Sequence, residues 1–101
     1  MELVRIEWVD SYGAGSAWEP TDNLVDEYHI CVSVGYLALD GEKVKIIIPH
    51  LSPANEKIGA EEQGCGDMAI PVVSIIKMTS LVEQSLDHSA RKHEEKSNAD
   101  I

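Results

Sequence analysis

Apolar and polar residues alternate with a period of two along several short stretches of this chain, a pattern that predicts strands rather than long helices. In Leu3 to Val9, Val4, Ile6 and Trp8 alternate with Leu3, Arg5 and Glu7. Tyr28 to Leu39 (YHICVSVGYLAL) is the clearest strand, with Ile30, Val32, Val34, Tyr36 and Ala38 on one face. Gly35 in its middle predicts a bulge or a sharp bend. Asp40-Gly41 follows and predicts a tight hairpin, since Gly accepts the positive φ of such turns. Lys43 to Pro49 returns as the partner strand, with Val44, Ile46 and Ile48 on one side and Lys43 and Lys45 on the other. Asp67 to Ile70 predicts a short strand closed by Pro71, which lacks an N–H for the ladder. Val72 to Met78 is rich in β-branched residues and predicts the last strand.

Between these runs the pattern breaks. Residues 10–27 hold Gly13, Gly15, Pro20 and Asn23 and predict one long loop, with Tyr12 and Trp18 as its anchors. Residues 50–66 predict a second long loop, with Pro53 and three glycines. After Thr79, Ser80 and Glu83 are spaced as a capping box, which predicts a short helix to about Leu86. Residues 87–101 are polar and read as a frayed helix or disordered tail. Two regions follow: a β domain over 1–79 and a polar tail over 80–101. Five short strands without a long helix between them predict an all-β fold, an antiparallel sheet curled into a small barrel. This order resembles an SH3-like or Sm-like barrel. A small β-sandwich, or an α+β domain lidded by the C-terminal helix, is the alternative.

Composition adds constraints. The 101 residues suit one domain, and 44% hydrophobic content excludes wholesale disorder. Eighteen acids against eight bases give a net charge of −10, which disfavours docking on nucleic acid or on an anionic membrane. The start, Met1-Glu2-Leu3-Val4-Arg5, lacks the basic and apolar regions of a signal peptide, and no run of about 18 apolar residues is present. Two cysteines, Cys31 and Cys65, without a CxxC pair, fit a reducing cytoplasm better than a disulfide framework.

Several strings carry a narrower resemblance: Trp8-Val9-Asp10-Ser11-Tyr12, Ser33-Val34-Gly35-Tyr36-Leu37, Ile48-Pro49-His50 and Gly64-Cys65-Gly66-Asp67-Met68-Ala69-Ile70-Pro71. In this order they resemble a group of small proteins of tailed bacteriophages and prophages. The resemblance spans about residues 4–79 and implies a protein made in the cytoplasm of an infected bacterium. It brings no activity with it.

Candidate chemistry is sparse. Cys65 lies between two glycines, with His50 upstream and Asp67 two residues on, the residue types of a nucleophile, its base and an orienting acid. The plainer reading is a tight turn with a small apolar filler. No HxxxH, HExxH, EF-hand or phosphate-loop pattern is present, and no metal or cofactor is expected. Gly13-Ala14-Gly15-Ser16 could form an anion-binding nest of backbone amides. Tyr12, Trp18 and Tyr36 could face a groove between the two long loops, where an aromatic platform would stack a base. The expectation is a non-enzymatic binding protein that uses Tyr12, Trp18, Tyr36, His50, Cys65 and Asp67. It would sequester a small nucleotide-like ligand or block a basic host protein, acting on a host system such as an anti-phage defence. The alternatives are an accessory part of phage assembly and an acidic mimic of nucleic acid. A homo-oligomer is expected through the edges of Lys43–Pro49 and Val72–Met78.

Overall fold

The computed structural model describes residues 1–13 and 16–86. Their secondary structure is strands and three single 3-10 turns, without an α-helix among the described residues. β1 (Leu3–Asp10), β2 (His29–Asp40), β3 (Val44–Ile48), β6 (Met68–Pro71) and β7 (Ile75–Ser80) form one antiparallel sheet in the order β6-β3-β2-β1-β7. β4 (His50–Ser52) and β5 (Gln63–Cys65) form a separate two-stranded sheet. The all-β class and the antiparallel sheet are those expected from the sequence; among the described residues no ladder joins β6 to β7, so closure into a barrel is not seen. β6 is four residues long and ends at Pro71, which cannot extend a ladder as a donor.

β2 is the long strand on which the sheet turns. It pairs with β1 from His29 to Tyr36 and with β3 from Tyr36 to Asp40. Gly35 sits at the handover and is buried, and a Cβ there would lie 2.9 Å from the Ile48 carbonyl oxygen. The irregularity foreseen at Gly35 falls slightly later, as a register shift between Leu37 and Leu39. The Asp40-Gly41 hairpin is present, for a different reason than the one read from the sequence. Gly41 does not have positive φ; its N–H donates to the Val44 carbonyl at 3.1 Å, and a Cβ would meet that oxygen at 2.8 Å.

The core is small: Val4 and Ile6 of β1, Ile47 of β3 and Ile70 of β6, with Trp8, Leu37, Met68 and Ile75 packed against it. Each such buried aliphatic side chain contributes about 1.5–3 kcal/mol. On β2 the residues opposite Val4, Ile6 and Trp8 are Gly35, Ser33 and Cys31. Large side chains of β1 thus meet small ones of β2. The Trp8 indole N–H donates to the Ser33 hydroxyl at 3.0 Å, which gives a half-buried tryptophan its polar partner. Ile48 is buried on the other side of β3, under the β4–β5 hairpin: a Cβ on Gly64 would stand 2.5 Å from its Cδ1.

Four further expectations are corrected. The second long loop is largely folded, as β4, a 3-10 turn at Glu56–Ile58 and β5. The Asn55 side chain caps that turn by accepting from the Lys57 N–H, and Gly59 ends it at φ 64. Val72–Ser74 is a 3-10 turn rather than strand, and the last strand begins at Ile75. Ser80 caps no helix: it ends β7, its hydroxyl bonds the Glu2 carboxylate, and residues 81–86 hold no regular structure. Lys43–Pro49 is no edge, because β3 lies between β2 and β6. The expected tail over 87–101 lies outside the described residues, as do Ala14 and Gly15 of the proposed nest. No helix among the described residues is long and apolar enough to cross a membrane.

Candidate functional site

The six residues singled out in the sequence fall into three places. Tyr12 follows β1, tilted against the His29 ring with centroids 5.4 Å apart, and its hydroxyl donates to the Glu27 carbonyl at 3.4 Å. These contacts tie the two ends of the first loop together. Trp18, expected to anchor that loop by burial, is wholly exposed at 103%. Its neighbours Ser16, Ala17, Glu19 and Pro20 leave the indole uncovered. Tyr36 is half-buried inside the main sheet, between Leu3 and Ile48.

His50 and Cys65 are brought together. They stand opposite each other across β4 and β5, beside a shallow cleft of about 230 Å³ lined also by Leu51 and Gly64. The turn that follows is set by Gly66, whose φ of 79 suits glycine and whose bare Cα lets the Pro49 ring approach. Asp67 lies just beyond, exposed. Among the described residues no side-chain hydrogen bond links His50, Cys65 and Asp67, and both His50 and Cys65 are exposed to solvent. A thiol nucleophile is activated by a base within hydrogen-bond reach, and among the described residues Cys65 makes no side-chain bond of this kind.

Among the described residues, the clefts at the two long loops have separate linings. Tyr12 lines a cleft of about 400 Å³ with Glu19, Asn23, Leu24 and Val25, while the cleft at His50 is lined by β4 and β5 alone. The aromatic platform of Tyr12, Trp18 and Tyr36 is therefore not assembled. Instead the first loop exposes apolar groups among acids. Tyr12, Trp18, Leu24 and Val25 are each more than half exposed. Residues 10–27 carry Asp10, Glu19, Asp22, Asp26 and Glu27 and no Lys or Arg. Of the described bases, Arg5 pairs with Glu7 at 3.0 Å and Lys45 with Asp40, both away from this loop.

Sequence reasoning missed one surface. Ile30, Val32 and Val34 do share a face of β2, but it is the solvent face, and each is about half exposed (52%, 50% and 52%). The signal was present in the alternate positions: Cys31, Ser33 and Gly35, which stand opposite Trp8, Ile6 and Val4, are small. Val9, Tyr28, Val73 and Ile76 continue the apolar surface around an open cleft of about 470 Å³.

Comparison of the chain with protein-family models, with curated proteins and with solved structures finds no match.

Proposed function

We propose that the chain is a non-enzymatic binding protein that blocks a basic protein partner through its first long loop. One observation carries this reading: Trp18 is fully exposed in a loop with four carboxylates and no base. Exposed tryptophans anchor protein interfaces, and surrounding like charges steer an oppositely charged partner. The same charge pattern disfavours a nucleotide there, because its phosphates would meet carboxylates instead of Lys or Arg. The resemblance of the motifs to bacteriophage proteins makes a bacterial host protein the natural target. The test compares the full chain with Trp18→Ala as bait in a bacterial lysate, at low and high salt. A basic protein held by the wild type, lost with Trp18→Ala and weakened by salt is the expected result. Identical capture by both baits would overturn it. A second reading, an accessory part of phage assembly, draws on the half-exposed stripe of Ile30, Val32 and Val34. Under that reading Trp18→Ala is silent and stripe substitutions abolish incorporation.

A further inference from the structure

β2 has a second hydrogen-bonding edge that the fold leaves open. It pairs with β1 from His29 onward, but with β3 only from Tyr36. The chain leaves the main sheet at Pro49, and β4 pairs with β5 instead. The Leu37 N–H donates to the Glu2 carbonyl on the β1 side at 2.8 Å. Antiparallel ladders alternate direction residue by residue, so residues 29, 31, 33 and 35 also address β1. The N–H and C=O groups of Ile30, Val32 and Val34 therefore point to the outer edge, where no strand among the described residues pairs with them.

Three properties of this edge select its occupant. It is extended, with donors and acceptors at every second residue, and a second strand satisfies such a row. It is self-complementary: antiparallel pairing centred on Val32 sets Val32 against itself and Ile30 against Val34 of the other copy. It is also uncharged. Residues 29–39 (HICVSVGYLAL) contain no Asp, Glu, Lys or Arg in a chain of net charge −10, so two copies meet here without opposing carboxylates. Open edges in monomeric proteins are blunted by Lys, Pro or a bulge, and residues 29–36 hold none of these.

The geometry points to a homodimer in which β2 pairs antiparallel with β2 of a second copy about Val32, joining two five-stranded sheets into one. Three opposed pairs of residues supply two hydrogen bonds each. A contact of one strand on one strand falls below the roughly 1,200 Å² of tight complexes, so association is reversible and concentration-dependent. This replaces the expected pairing through β3, which is interior, and through the edge strand β7 with pairing through β2. It does not depend on the protein-blocking role of the first loop.

Sedimentation equilibrium of the reduced full chain, over a wide concentration range, tests it. A monomer–dimer equilibrium that tightens with added salt is expected, because salt screens the net repulsion between copies. Val32→Lys sets like charges directly opposite and raises the dissociation constant at least about tenfold. Circular dichroism confirms that this half-exposed site leaves the fold intact. Val32→Cys, in a Cys31→Ser, Cys65→Ser background, forms a covalent dimer on mild oxidation, since opposed Cα atoms in such a pair lie about 5.5 Å apart. Ile76→Cys on the β7 edge, in the same background, does not. A monomer at every concentration overturns the proposal. So does a dimer indifferent to Val32→Lys, or one cross-linked through Ile76→Cys instead.

Discussion

Gly35→Ala tests the handover of β2 from one neighbour to the other. The added Cβ would stand 2.9 Å from the Ile48 carbonyl oxygen, 3.2 Å from the Ile47 Cβ and 3.3 Å from the Ile48 carbonyl carbon. Two of these are backbone atoms of an interior strand, and Ile47 and Ile48 are both buried. Relief therefore requires β3 to move against β2, and overpacking of this kind costs about 1–3 kcal/mol. Against it stands the gain from restricting the unfolded chain, about 0.4–1 kcal/mol for Gly→Ala. Packing wins, and the net loss is about 1–2 kcal/mol. For a domain of this size each kcal/mol lowers Tm by about 4–8 °C. The assay is urea unfolding followed by circular dichroism and tryptophan emission, at one fixed protein concentration because a dimer links stability to concentration. The midpoint should fall with the slope unchanged. Gly13→Ala is the control: nothing lies within 4 Å of its added Cβ and its φ is ordinary, so it should be neutral or slightly stabilising. If Gly35→Ala unfolds at or above the wild-type midpoint, the close approach of β2 and β3 at Ile48 is refuted.

Three further outcomes are expected. Ile6→Val removes one methylene from a fully buried side chain and should cost about 0.5–1.5 kcal/mol in the same urea assay. Ser33→Ala removes the acceptor of the Trp8 indole N–H and should cost about 0.5–1.5 kcal/mol, with a change in Trp8 emission; unchanged stability and emission would remove that bond from the account. On brief treatment with iodoacetamide the first adduct, located by peptide mass spectrometry, should fall on Cys65. That thiol is exposed, while Cys31 is half-buried with its Sγ 3.9 Å from the Asp10 carboxylate.

The parts of the fold that were legible in the sequence are those written in several consecutive residues. β1, the long β2, the Asp40-Gly41 hairpin and the corner at Pro71 all stand within a residue or two of their expected places. β4 and β5 were not legible because three-residue strands are too short to show a period, and their turn is set by one Asn cap and one left-handed Gly. The triple isoleucine of β3 was hidden in another way. Its two sides are buried by different partners, Ile47 by the core and Ile48 by the β4–β5 hairpin that follows it. Hydrophobic alternation grouped Ile30, Val32 and Val34 correctly but did not say which face of β2 is covered. That was decided by the bulk of Trp8 and Ile6 across the ladder. Among the candidate site residues, only His50 and Cys65 were joined, by strand register. Trp18 was misread because aromatic bulk was equated with burial, whereas its neighbours leave the indole uncovered.

A dimer through the open edge would also fix the spacing of two acidic loops. The loop returns to the sheet at His29, where Tyr12 rests on the ring. In a dimer centred on Val32 the two His29 residues lie six residues apart along the paired strands, about 20 Å at 3.4 Å per residue. Both acidic loops are then presented to one target at fixed spacing. A partner with two contact sites would bind the second loop as an intramolecular event and gain avidity without any new contact. The two variants should therefore separate. Trp18→Ala lowers capture while leaving the monomer–dimer equilibrium unchanged, because that side chain touches nothing at the edge. Val32→Lys abolishes the dimer and keeps the one-site affinity, so it weakens capture on a surface dense in target but not the affinity measured with monomeric target free in solution. Equal loss in both formats for Val32→Lys would mean that the β2 edge itself contacts the target, and that the dimer and the blocking complex compete for one surface.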